Sequence, residues 1–581
     1  MHEAHEAARA LLVEHAARLG VEELSGLAPR EDGRSELTLK LEVEGERIAL
    51  RVVLPVAFPY SEIELVLDSP EWQGRAHQNS AGKICPRPDA IVSHDASRLI
   101  EAIQAAREWL GAAKNGTLAP DGERYELPEV QVRRADWLLL FDEEFADYVR
   151  WAAHRGASGP ASVVQHAGGW AIEQCRTADG AVIAQRASIR EPVKPVRVSG
   201  RWIVIDAFSS KGHRVARTWD ELRAVFADLE RVVRQAWNDA EGELAFVLVG
   251  MPMPEAWGGM PSRMHWQPIV FPSYQVARAE IKAASRTRGR RINGRHLAPM
   301  ALWPTRSPLV RGESVPWAFA EDVSRARLYV RSGSSGRAFE APLIIGAGAI
   351  GSAIADILVR GGLRDLAIID RDRLEYGNLC RHVLDGASIR EPKALALAAH
   401  LRLVSPSVRT RAFGASLPPQ TSTDKQSFDE ALAAADLVID ASGDDEVLDW
   451  LGSLATRSQV ASVWTNSDAS VGVAVLAGLG GGANVADLRV FAKDAIDAGR
   501  VPGVSSGAHA GPKPIVPGTG CWHPTFHGSW SRLVALGAAF CEWLTTAARG
   551  SRDGRIVVFR FAEGTWHRAR SWSVPRKQTG A

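Results

Sequence analysis

One stretch of this 581-residue chain restricts its fold more than any other: Leu343-Ile-Ile-Gly346-Ala-Gly348-Ala-Ile-Gly351. It reads as a buried strand running into glycines spaced G-x-G-x-x-G and then into a helix. Glycines here permit a tight turn and let a backbone N–H approach a phosphate, while the helix N-terminus adds partial positive charge. From residue 342 onward the pattern stays of this kind. Strands are expected at 343–345, 366–369, 437–439 and 462–464, with helices at 351–361 and 392–403. That alternation predicts a twisted, largely parallel sheet with helices on both faces. Asp370, at the end of the second strand, lies where a ribose hydroxyl would be bound. Up to this point NAD remains a live reading beside ATP.

The remaining chain divides by pattern. Residues 3–19 read as a helix, and 37–43 and 48–54 alternate strictly as a hairpin turned at Glu44-Gly45-Glu46. A strand at 63–67, a loop holding His77 and Cys85, and a helix at 96–113 complete an α+β module. Between 120 and 330 strands are expected at 202–208 and 244–251, with an amphipathic helix over 219–237. The basic run at 285–295 reads as a solvated loop. Residues 478–520 are rich in Gly, Pro and Ser and predict a long mobile loop. A helix at 530–544 and a strand at 556–561 end the pattern. The expected domains are thus 1–118, 119–335 and 336–581, with a mobile segment at 478–528.

Composition narrows the partners. With 24% charged residues and a formal net charge of +1, neither nucleic acid nor a membrane surface is the default partner. No apolar run approaches the roughly 20 residues needed to span a bilayer, and the N-terminus lacks a signal-peptide pattern. A cytoplasmic protein is expected. Five scattered cysteines (Cys85, Cys175, Cys380, Cys521 and Cys541) contain no CxxC pair, which argues against a zinc ribbon and a disulfide framework.

The residues after the glycines separate the two nucleotides. Asp370-Arg-Asp372-Arg-Leu-Glu-Tyr-Gly377-Asn378-Leu-Cys380-Arg381-His382 resembles the D-x-D-x-V-x-x-S-N-L-x-R-Q signature of the ThiF/MoeB/ubiquitin-activating adenylation family. Arg390-Glu-Pro-Lys393-Ala resembles its G-x-x-K-A, and Val404-Ser-Pro406-Ser-Val408 its N-P-x-V, with Ser405 for Asn. The departures are His382 for Gln and Gly377 for Ser. The resemblance implies ATP and a carboxylate substrate. It gives Arg381 and Lys393 to the phosphates, Asn378 to their support, Asp370 to the ribose, and Gly346, Gly348 and Gly351 to the phosphate loop. A magnesium acid is implied after the next strand. Asp444 is chosen, with Asp440 as the alternative, because one extra residue separates the two. Arg331 is the candidate to reach a dimer partner's nucleotide.

Two cysteines fit nucleophiles. Cys521, in Gly518-Thr-Gly520-Cys521-Trp-His523, sits on a glycine-rich mount near His523 and His527, C-terminal to the magnesium acid, where activating enzymes carry their catalytic cysteine. Cys85 follows His77-Gln-Asn79 and lies in Gly82-Lys-Ile84-Cys85, resembling the H-P-N and G-x-I-C of the ubiquitin-conjugating fold. Asn79 matches the asparagine that stabilises an oxyanion there, and His77 the histidine that holds the loop. Cys541 is read as core, and Cys380 and Cys175 carry no assigned role.

Together these parts resemble bacterial activating–conjugating fusion proteins of cyclic-oligonucleotide antiphage systems (CBASS). The resemblance implies adenylation of a protein's C-terminal carboxylate, thioesters at Cys521 and then Cys85, and transfer to an amine, a target-protein lysine. It names a cGAS/DncV-like nucleotidyltransferase as the activated protein and a homodimer as the assembly. A separate ubiquitin-like protein and a sulfur-carrier substrate are the alternatives.

Overall fold

The computed structural model describes all residues except 1, 73, 80, 87–89, 120, 167–168, 187–195, 207–213, 277–311, 330–338, 406–407, 455–456, 479–482, 509–514, 518–521, 525–526, 549–551 and 576–581. The chain divides into two compact units, Met1–Asp322 and Val323–Ala581.

The first unit holds two sheets. In the N-terminal one, the strands Ser35–Val43 and Glu46–Leu54 pair antiparallel, and the first buries every second residue, as its alternation predicts. Glu64–Val66 and Lys83–Ile84 extend this meander toward Cys85. The helices His2–Leu19 and Ser97–Lys114 share its core, in which Leu12, Leu37, Leu50, Leu99 and Leu110 are buried.

The second sheet, eight strands between Arg134 and Asp322, is mixed. The strands Leu244–Met253 and Arg263–Pro272, paired at one end of its order, are buried along nearly their whole length, which explains why the first reads as one apolar run. The single helix expected over 219–237 is two, Trp219–Val225 and Leu229–Asp239. The backbone turns extended at Phe226, whose ring is buried in the same core. The basic run at 285–295 lies outside the described residues.

The second unit is a mixed α/β domain. Its sheet runs Arg409–Phe413, Asp365–Ile369, Pro342–Ile345, Leu437–Asp440, Gln459–Thr465, Val471–Leu476, Gly554–Ala562 and Thr565–Val574. The first five strands are parallel and the last three antiparallel. Helices Ala349–Arg360, Lys393–Val404 and Trp530–Ala547 pack into one core, and Ser422–Ala433, Asp445–Ser453 and Val485–Asp497 into the other. The last of these corrects the expectation of loop throughout 478–520. Asn484 caps the helix by accepting the Asp487 N–H, and Val485, Leu488, Ala492 and Ile496 fall on one buried stripe. Among the described residues no helix is long and apolar enough to cross a membrane.

Candidate functional site

The Pro342–Ile345 strand sits between Asp365–Ile369 and Leu437–Asp440, so the order of connections reverses there. In open α/β sheets such a switch point, at the carboxyl ends of the strands, is where ligands bind. Three loops meet at it.

The first is the glycine loop. Gly346 has φ +89°, and a Cβ there would stand 2.8 Å from the Ser442 backbone. A Cβ on Gly351 would come within 1.8 Å of the Gly346 carbonyl oxygen. Gly348 caps the Ala349–Arg360 helix and would meet nothing within 4 Å, so its face is open to a ligand. Gly351→Ala is therefore expected to lower stability by about 1–3 kcal/mol, as overpacking does, read as a lower urea midpoint.

The second loop follows Asp370. Its Oδ2 accepts the Ala347 N–H at 2.7 Å and its Oδ1 the Asp372 N–H at 2.7 Å. Burial pushes this carboxyl up, opposed by those N–H groups and by Lys393. Each oxygen keeps a second acceptor site, which suits a ribose hydroxyl. Asp372 in turn holds Lys393. The ammonium lies 3.1 Å from Oδ2, and the Lys393 N–H donates to the Asp372 carbonyl at 2.8 Å. Lys393, at the start of its helix, is only 8% exposed. Asn378 Oδ1 accepts the Glu375 N–H in a reciprocal cap of the Tyr376–Arg381 turn. Its Nδ2 is thus the end suited to a phosphate, and Arg381 closes the same turn.

The third loop carries the two acids. Asp440 is 2% exposed, and its carboxylate accepts from the hydroxyls of Ser442 (2.6 Å) and Ser462 (2.7 Å) and from the Ser442 N–H. Burial raises its carboxyl, and these donors oppose the shift. A carboxylate so occupied is a poor metal ligand. Asp444 is exposed and caps the Asp445–Ser453 helix through one oxygen. Of the two acids, its chemistry fits magnesium, which takes one or two carboxylates and completes its shell with phosphates and water. Among the described residues no three His, Cys, Asp or Glu cluster as a metal cage.

One contributor escaped the sequence reading. His382 is 7% exposed, and its Nε2 lies 2.7 Å from the Ala347 carbonyl oxygen. The signal was available in retrospect: this histidine stands where the resembled signature has glutamine, another side chain with one donor and one acceptor.

In the first unit, the Cys85 N–H donates to the His77 carbonyl at 2.8 Å, and His77 takes a positive φ of 53°. Asn79 Oδ1 accepts the N–H groups of Ala81 and Lys83, both at 2.9 Å, so Nδ2 is the end that can serve an oxyanion. The His77 ring is gripped from the following segment: Nδ1 lies 3.0 Å from Glu126 and Nε2 3.7 Å from Glu123. Cys85 is exposed, whereas Cys541 and Cys175 are buried. Cys521 and Arg331 lie outside the described residues.

Comparison with known proteins follows this division. The ThiF family profile matches residues 338–476, and the Cap2 central linker domain profile matches 116–301. An ATP-dependent ubiquitin transferase-like protein, Cap2, from Enterobacter hormaechei is 27% identical over 497 residues, 81% of this chain and 76% of that one. Over most of its length the chain is thus similar to a ubiquitin transferase-like protein. The ThiF portion also has narrower relatives. The Bacillus subtilis sulfur carrier protein ThiS adenylyltransferase is 42% identical over 91 residues, 15% of this chain and 27% of its own length. A solved structure of Escherichia coli MccB with ATP aligns over 44% of this chain and 67% of that one, at 15% identity and a TM-score of 0.27. Residues 338–476 thus match a ThiF adenylation domain, and the sequence relatives make the chain an enzyme of the ubiquitin-activating/conjugating-like class.

Proposed function

We propose that the chain activates a protein's C-terminal carboxylate with ATP and passes it through two cysteines to an amine. The observation that carries this reading is the bonded chain Lys393–Asp372–Asp370–Ala347, which sets a buried cation beside an open glycine loop at the switch point. A carboxylate oxygen attacks the α-phosphorus, the bond to the β-phosphate breaks, and pyrophosphate leaves. Lys393 and Arg381 offset the charge that develops on the α-phosphate, with Asn378 supporting them, where preorganised cations act most strongly. Asp370 holds the ribose. Asp444 would hold magnesium, which would neutralise phosphate charge when bound. The Cys521 thiolate then attacks the acyl carbon and expels AMP, and Cys85 takes the acyl group by thioester exchange. A lysine amine ends the sequence by displacing the Cys85 thiol, with Asn79 donating to the oxyanion.

In this reading residues 1–118 form a ubiquitin-conjugating-like module, 119–335 a linker that supports a homodimer, and 336–581 the adenylating domain. The protein activated would be a cGAS/DncV-like nucleotidyltransferase, in cytoplasmic antiphage defence. A separate ubiquitin-like protein is the second choice of modifier. A sulfur-carrier substrate is favoured by relatives that match within the ThiF portion alone, the Bacillus subtilis protein among them.

The test is ATP–pyrophosphate exchange by the full chain, with intact-mass measurement before and after reducing agent. Exchange that depends on a protein carboxylate, with thiol-sensitive adducts at Cys521 and Cys85, is expected. Exchange that survives Asp444→Ala and Arg381→Ala together would sink the adenylation assignment. Adducts replaced by a thiocarboxylated carrier would move the chain to sulfur transfer.

A further inference from the structure

We infer that His382 is a positioning residue of the glycine loop, bracing Ala347 for nucleotide binding as a neutral imidazole. This rests on the adenylation reading above.

Ala347 is the residue between the first two glycines, and it is held from both sides. Its N–H donates to Asp370 Oδ2 at 2.7 Å, and its carbonyl oxygen lies 2.7 Å from His382 Nε2. The Leu384 N–H donates to His382 Nδ1 at 3.1 Å, which makes Nδ1 an acceptor and therefore unprotonated. A neutral ring then carries its proton on Nε2, where it donates to Ala347. A second proton would have to sit on Nδ1, directly against the Leu384 N–H. The surroundings oppose that charge as well. Burial lowers the tendency of His382 to protonate, the Ala347 carbonyl opposes this, and Lys393 and His400, both on the Lys393–Val404 helix, add to the lowering. The Asp370 carboxylate lies beyond Ala347 and Asp372 is paired with Lys393, so neither carboxylate accepts a bond from the ring.

Two hydrogen bonds thus fix the loop through one side chain 35 residues away. A glutamine could make both bonds, with Nε2 donating to Ala347 and Oε1 accepting from Leu384, and would make them at any pH. The resembled signature has glutamine at this position. The imidazole therefore carries over the donor–acceptor pair and adds a dependence on acid.

Exchange kinetics of the full chain over about pH 5.5–8, for wild type, His382→Gln and His382→Leu, test the brace. His382→Leu should raise KM for ATP about tenfold, with a smaller change in kcat, because the loss of two bonds loosens the bound loop. The wild-type KM should climb as pH falls below the ordinary histidine range. His382→Gln should restore the KM at pH 8 and flatten that acid limb. A leucine variant with wild-type KM would overturn the brace, and so would a glutamine variant that keeps the wild-type acid limb. Should the leucine variant not fold, the glutamine profile alone decides. Wild type that neither exchanges pyrophosphate nor binds ATP would overturn the adenylation reading, and the brace with it.

Discussion

Lys393→Ala in the full chain is expected to slow ATP–pyrophosphate exchange by about 10²–10³-fold, the usual effect of removing one preorganised donor from a developing anion. Fold stability should change little. The ammonium is enclosed by protein, so its field on a phosphate is weakly screened. Its direct partner Asp372 is more than half exposed, and buried Asp370, which also loses the lysine's field, keeps its two N–H donors from Ala347 and Asp372. The backbone bond between Lys393 N–H and the Asp372 carbonyl survives the substitution and keeps the helix start in place. Lys393→Arg should recover only part of the rate, because a planar guanidinium is larger than the ammonium that this confined position holds. An exchange rate within about threefold of wild type, with unchanged urea midpoints, would remove Lys393 from the phosphate site.

How much of this was legible in the sequence depended on the range of each interaction. The switch-point strands read clearly because both of their faces are buried, so Leu343-Ile344-Ile345 and Leu437-Val438-Ile439 are unbroken apolar runs. The glycine loop read clearly because its constraint is local, between Gly346 and Gly351. Helix Val485–Asp497 was hidden by the glycine and proline on either side, although its cap and buried stripe were visible within thirteen residues. The strand Thr565–Val574 was missed because it buries almost nothing on its own, and it is recognised only from its pairing with Gly554–Ala562. The choice between Asp440 and Asp444 could not be read from spacing. What weighs against Asp440 is the Ser462 hydroxyl, which the neighbouring strand delivers from 22 residues away. The place of His382 is not legible for the same reason, since the carbonyl it serves is 35 residues away in sequence.

Cys85→Ala should abolish transfer to the acceptor, a fall of at least about 10³-fold as for other lost nucleophiles, while leaving pyrophosphate exchange unchanged. The two activities are expected to separate because the glycine loop and Cys85 lie in different compact units. The upstream thioester should then accumulate in place of product. Asn79→Asp refines the test. The carboxylate keeps the acceptor that holds the Ala81 and Lys83 N–H groups, and so keeps the turn, but it has no amide donor for the oxyanion. Loading of Cys85 should persist while discharge to an amine falls about 10²-fold. The thiol itself sits in a setting that withholds charge. Although the residue is exposed, the protein around its thiol partly desolvates it and pushes it up, Lys83 opposes, and Glu62, Glu126 and Glu129 add to the rise. Alkylation of Cys85 by iodoacetamide should therefore still be climbing above the pH at which an ordinary cysteine levels off, and Glu126→Gln should shift that curve downward. This places the burden of activation on the incoming thioester, whose leaving group is another thiol, and not on a preformed Cys85 thiolate. If Cys85→Ala conjugates at the wild-type rate, the acyl group reaches its amine from the upstream cysteine directly, and the N-terminal module holds the acceptor without carrying the thioester.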